Sequence, residues 1–449
     1  MRALILFLLT ILLLCRAQNA TADDWPQWLG PQRDSVWREN GIVTSFPPGG
    51  PSVVWRAEVG GGYSGPCVAQ GKVFVIDRQL STNAVNPNDP FARGRIPGVE
   101  RVTCFDAATG RQLWRFQYDC PYTVSYPAGP RATPLAADGK VFTLGAEGNL
   151  YCLDAATGAV LWSRDFKKDY NVPTPMWGFA GNPLLDGNRL ICLAGGTNST
   201  FVALDKDTGR EIWRALGSKE PGYCSPVIFN EAGVRQLIAW DPESVSALNP
   251  ETGEVYWSTN SPHSIRSGMT IPTPRKMGDL LYLTCFYDGS WMLKLDPSLP
   301  AASTLWRSAR VSEMNTDALH STLSTPFLDN GYIYGVCSYG QLRCLDATNG
   351  NRIWETMAVT TPDGKEARWA NAFIVKNGNR FFLFNEKGDL IIARLSPKGY
   401  EELSRAHIID PVNRDTGRLV VWSHPAFANR RIYARNDKEL ICVDLAAKN

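Results

Sequence analysis

The sequence predicts an all-β fold, an eight-bladed β-propeller of four-stranded antiparallel blades, on three observations. A short motif recurs about every 48 residues from Asp106 to Asp444. A proline opens the first apolar run of nearly every unit. No stretch keeps a 3.6-residue apolar period, so short strands rather than helices are expected. The 449 residues would otherwise allow two or three domains, but a repeat of this length makes them one array.

The motif is clearest in Cys104-Phe105-Asp106 through Gly110 to Leu113-Trp114, and in Cys152-Leu153-Asp154 through Gly158 to Leu161-Trp162. It returns at Asp205 through Gly209 to Trp213, Asn249 through Gly253 to Trp257, and Asp346 through Gly350 to Trp354. Looser copies run from Asp296 to Trp306 and around Arg394 to Gly399, and the last stops at Cys442-Val443-Asp444. Asp-x-x-x-Gly reads as a hairpin turn, its carboxylate capping backbone N–H groups and its glycine taking positive φ.

Each unit keeps one internal order. A first run follows Pro66, Pro134, Pro183, Pro226, Pro274, Pro326 or Pro425, or begins at Ala372. Two further runs lead to the Asp, and a fourth ends in Trp. Four strands per unit, repeated radially, make a propeller blade. Eight first strands give eight blades. Trp55 precedes the first complete unit, and the chain ends soon after a third strand. The strand around Val53-Val54-Trp55 is therefore expected to complete the last blade, which leaves no open edge between first and last units. The expected organisation is a leader over 1–22, a rim segment over 23–52 and the propeller over 53–449.

The repeat resembles the tryptophan-docking motif of the quinoprotein (PQQ-like) propellers, Ala-x-Asp-x-x-x-Gly-x-x-x-Trp. The resemblance covers residues 53 to 445. That superfamily includes the pyrroloquinoline-quinone dehydrogenases and the non-enzymatic lipoprotein of the outer-membrane β-barrel assembly machinery. The segments Trp25-Pro26-Gln27-Trp28 and Gly129-Pro130-Arg131 also look like exported PQQ-like repeat proteins. The resemblance implies that the seven motif tryptophans lock blade to blade.

At the N-terminus, Met1-Arg2, an apolar run from Ala3 to Cys15 and the small residues Ala20 and Ala22 read as a secretory signal peptide cut after Ala22. The run is too short to span a membrane. No small residue precedes Cys15, so a lipid anchor there is not expected. The expected location is periplasmic or secreted. Cleavage would remove Arg2 and Arg16, leaving 44 basic and 44 acidic residues. A neutral chain with no basic cluster argues against nucleic acid. The ten remaining cysteines show no metal-ligand spacing and are expected to be buried, although export leaves disulfide pairing open.

Chemistry is sparse. The resemblance brings the demands of quinone-dependent oxidation: a divalent cation, an Asp base, and a vicinal disulfide that sandwiches the cofactor. This chain has no adjacent cysteine pair, and no cation-ligand set can be matched to it. No catalytic residue, metal ligand or cofactor is therefore expected, with PQQ and Ca²⁺ as the alternative. His263, His320, His407 and His424 lack zinc spacing. Gly60-Gly61-Gly62-Tyr63 precedes a strand, so a loop beside the closure fits better than a phosphate cradle.

Propeller geometry says where a site would lie. Residues just before the first strands converge at one mouth of the central channel: Tyr63, Arg131, Trp177, Tyr223, Arg266, His320, Arg368, Trp369 and His424, with Trp422. Aromatic and cationic groups in a concave setting suit a binding pocket. The plainer alternative is that they fill the channel with one another. A further feature is the insertion Gln79 to Val99 in the first blade, of a length often functional. Three readings stay open: a non-catalytic binding or scaffold protein of the bacterial envelope with a macromolecular partner, a quinoprotein oxidoreductase, and a receptor for a carbohydrate or anionic small molecule.

Overall fold

The computed structural model describes residues 24–261, 266–309, 312–415 and 417–448. The leader with its cut after Ala22, Cys15, and His263 lie outside the described residues, as does the side chain of Arg266.

Eight four-stranded antiparallel sheets form the blades. First strands begin at Cys67, Leu135, Leu184, Val227, Arg275, Phe327, Ala372 and Ala426, each where the prolines and Ala372 placed them. In the last blade Val53–Glu58 is the outermost strand and pairs antiparallel with Glu439–Asp444. The ring therefore closes with strands from both ends of the chain. Apolar layers sit between neighbouring sheets; one, for example, joins Phe142 and Leu150 to Leu190 and Val202. Besides a 3₁₀ turn over Arg266–Gly268, two elements have no counterpart in the repeat. A five-residue helix, Phe166–Tyr170, and a hairpin of Asn413–Asp415 with Arg418–Val420 both lie in connectors between blades.

The turn chemistry follows the motif. Asp106 accepts hydrogen bonds from the backbone N–H groups of Ala108 and Thr109 and from the Thr109 hydroxyl. Asp154 and Asp205 repeat the pattern. The tryptophans dock on the next blade: Trp114 Nε1–H donates to Ala155 O at 3.2 Å and its ring lies over Gly158. A Cβ at Gly158 would sit 2.5 Å from that ring, and the residue has φ +75°. Only glycine meets both demands. The same arrangement holds for Trp55, Trp162, Trp213 and Trp306. Gly158→Ala is accordingly expected to cost about 2–4 kcal/mol in urea unfolding, from backbone strain plus overpacking.

Two tryptophans depart from this lock. Trp354 keeps the bond, to Ser396 O at 2.7 Å, without a glycine beneath it. Trp257 donates instead to Gln236 Oε1 within its own blade. The next motif, Asp296-Pro297-Ser298-Leu299-Pro300, offers no glycine to dock on. The ten described cysteines are all free and buried.

The N-terminal segment runs across the propeller rather than along its rim. Trp25 pairs with Val68 in blade one, and Pro26 O accepts from Ala136 N in blade two. The Arg33 guanidinium bonds the carbonyls of Asn182, Pro183 and Pro226, at the starts of blades three and four. Arg275 of blade five returns bonds to Arg33 O and Asp34 O. Val36 then bridges Lys376 of blade seven. The segment thus plugs the channel from the face that carries the hairpin turns. Connectors and the first-blade insertion lie on the opposite face, as antiparallel order requires.

Candidate functional site

Between plug and connectors the channel holds a cavity of about 190 Å³. Six residues expected at the mouth line it: Tyr63, Arg131, Trp177, Tyr223, Trp369 and His424, together with Trp422. They converge because each connector must turn inward to enter its first strand. His320 and Arg368 do not reach the cavity. His320 is fully buried one layer out, its Nδ1 against Phe286 O at 2.9 Å. Arg368 stands behind the wall, its guanidinium 4.3 Å from the Trp369 ring and paired with Glu313 at 2.7 Å. Other lining residues, such as Asn182, Ser225 and Phe373, also stand at the first strands, but three aromatic walls come from places the repeat does not index. Trp28 belongs to the plug, Phe91 to the insertion, and Tyr126 to a connector five residues before Arg131.

Phe91, Tyr126 and Trp369 form the roof. Phe91 meets Tyr126 edge to face at 5.1 Å and Trp369 at 5.9 Å. Tyr126 and Trp369 carry φ of +53° and +63°. Bulky side chains seldom hold that backbone, and such strain gathers at ligand clamps. The insertion is held over the cavity by Tyr126 N–H to Pro90 O at 2.6 Å and by Ile96 pairing with Tyr122. The floor is Trp28, which crosses from His424, 4.9 Å between rings, to a bond with Thr273 Oγ1 at 2.9 Å.

The chamber is largely aromatic, with Arg131 as its one guanidinium on the described lining. Arg131 donates to Gly129 O, to Ser125 O at 2.8 Å and to Tyr126 O at 2.7 Å, and sits 5.1 Å from the Tyr63 ring. No carboxylate pairs with it among the described residues. Three carbonyls thus supply partners for this half-buried guanidinium. His424 packs against Trp25, Trp28 and Phe373, and burial lowers its pKa to about 4, so it is neutral at pH 7. The nearby acids have partners of their own behind the wall. Glu386 accepts from Trp422 Nε1–H at 2.8 Å and from Arg418 Nε at 2.9 Å, and burial raises its carboxyl pKa. Asp415 accepts the Tyr126 hydroxyl at 3.0 Å.

The quinone and Ca²⁺ of the dehydrogenase propellers would need a different donor set. Calcium takes about six to eight oxygen ligands, several of them carboxylates. No carboxylate lines the cavity among the described residues, and no three His, Cys, Asp or Glu side chains there gather as ligands. Arg131 is the one guanidinium on the described lining, too little for a polyanionic quinone. The residues present do not fit that pair.

The Gly60-Gly61-Gly62 loop is a packing device. A Cβ at Gly60 or Gly61 would lie 2.3 Å from Arg78 O or Ala128 O. Gly62 N–H is bonded to Asp437, and the fully buried Arg435 reaches Gly60 O and Ile76 O.

The family model described as outer membrane protein assembly factor BamB matches residues 98–263 and 241–449. No curated protein matches the sequence. Among solved structures, BamB from Moraxella catarrhalis is similar at TM-score 0.51 and 16% identity, over 82% of this chain and 99% of that one. Quinohemoprotein alcohol dehydrogenase from Comamonas testosteroni is similar at TM-score 0.59 and 13% identity, over 95% and 81%. The enzyme ADHIIG from Pseudomonas putida HK5 gives 0.57 and 14%, over 95% and 81%. Identities this low speak for the fold alone. No helix among the described residues is long and apolar enough to cross a membrane.

Proposed function

The chain belongs to the PQQ-repeat propeller family described as outer membrane protein assembly factor BamB, and from that premise we propose that it is an exported, non-catalytic binding protein of the bacterial envelope. Its site is the channel cavity, and its ligand is a small molecule bearing a flat ring. One observation carries the reading: the cavity is walled by aromatic rings, with a guanidinium bonded to three carbonyls and no carboxylate on its described lining. Such a surface offers burial and stacking of a ring but no acid–base pair to move a proton. A protein partner on the outer faces is compatible with this site and separate from it.

Titration with 4-nitrophenol, followed by quenching of tryptophan fluorescence, tests the proposal. Saturable quenching is expected, weakened at least tenfold in Tyr126→Ala. Dye reduction with PQQ, Ca²⁺ and an alcohol is expected to be absent. Quenching that ignores Tyr126→Ala, or PQQ-dependent alcohol oxidation, would overturn it.

A further inference from the structure

A second chamber of about 350 Å³ abuts the first on its outer side, between the insertion and the 413–420 hairpin. The two share Tyr63 and Tyr126, which line both. Their chemistry differs sharply. The inner chamber is aromatic, and its volume compares with apolar cavities of about 150 Å³ that accept benzene. It has room for a ring. The outer chamber is lined by the amides of Asn86, Asn88 and Asn413, by Asp437, and by proline faces. At about 30 Å³ per water it holds roughly ten waters.

Amides both donate and accept hydrogen bonds, as hydroxyl groups do. The Asp437 carboxylate accepts from hydroxyls and disfavours an anionic head. The buried Arg435 guanidinium acts on that carboxylate from behind, and Arg414 also stands on this lining. A neutral polyhydroxylated group therefore suits the outer chamber better than a phosphate or a carboxylate. Tyr126 forms a fixed sill between the two, its hydroxyl on Asp415 and its ring against Phe91. Resting on the proposed ring-binding function, we infer that the ligand is an aryl glycoside, its aromatic ring in the inner chamber and its sugar among the asparagines outside.

The test uses the mature full-length protein and three probes: 4-nitrophenol, the methyl hexosides, and the 4-nitrophenyl hexosides of the gluco, galacto and manno series. At least one nitrophenyl hexoside is expected to bind tenfold or more tighter than either half. That advantage is expected to fall to threefold or less in Asn88→Ala, an exposed loop position, and in Asp437→Asn. If nitrophenol binds and no hexoside improves on it, the two-chamber inference is overturned while the inner site stands. An advantage that survives both substitutions also overturns it. If no aromatic probe binds, the inner-site reading falls as well.

Discussion

Replacing Trp37 with alanine is expected to cost about 3–5 kcal/mol, the range for a fully buried large aromatic side chain. The ring is 1% exposed and wedges between blades seven and eight, 5.3 Å from Phe382 and 5.1 Å from Phe427. Its indole N–H donates to Glu39 Oε2 at 2.7 Å, and the same oxygen accepts from Arg430 N. Asn377 closes the arrangement by donating to the carbonyls of Trp37 and Glu39. Truncation would leave a cavity and a buried carboxylate short of a donor, two penalties that add. Trp28, nine residues earlier in the same plug, should behave differently. It is only partly buried, and its ring faces the ligand cavity. Trp28→Ala should cost clearly less stability than Trp37→Ala while weakening nitrophenol binding at least tenfold. Urea midpoints and fluorescence titrations on both variants check this. Equal destabilisation by the two, with binding intact in Trp28→Ala, would show that the plug is a brace without a part in the site.

That contrast also explains what the sequence could say. The blades were legible because one physical solution repeats: a carboxylate-capped turn, a glycine at positive φ, and a tryptophan above it. The exceptions follow the same physics, since Trp257 finds no glycine in the next motif. The mouth residues were legible for a related reason. Radial symmetry maps a position in the repeat onto a position at the channel, so Tyr63, Arg131, Trp177 and Tyr223 could be found by counting back from the first strands. Trp28 and Phe91 have no repeat equivalents, and the plug was expected on the rim. Only three-dimensional closure brings such segments to the axis. Arg368 shows a finer limit. It neighbours Trp369, whose left-handed backbone sends the ring to the cavity and leaves the guanidinium behind it. No side-chain pattern announces that turn.

Acidification is expected to remove about 3 kcal/mol of stability through one side chain, His424. Burial among Trp25, Trp28 and Phe373 lowers its pKa to about 4, from the 6.5 of an exposed histidine. Its Nδ1 faces Pro425 O at 2.6 Å, which only partly offsets that burial. Between pH 6.5 and 4 the unfolded chain binds a proton that the folded chain refuses. Stability is therefore complete above about pH 6.5 and falls as pH drops toward 4, with no further loss from this group below that. At about 1.4 kcal/mol per pH unit the difference amounts to roughly 3 kcal/mol. His320, also lowered mainly by burial, shifts the balance in the same direction. His407 opposes it: burial lowers its pKa, but bonds to Asp410 and Asp389 raise it overall. Its half-exposed ring makes that contribution small. His424→Phe keeps a ring in the apolar site and removes the proton. Urea unfolding at half-unit steps from pH 7 to 4 should show the parent losing about 3 kcal/mol more than this variant. Because the same ring forms part of the cavity wall, a ligand bound there should resist His424 protonation and shift the loss to lower pH. Parallel pH profiles for parent and variant would place the acid sensitivity elsewhere.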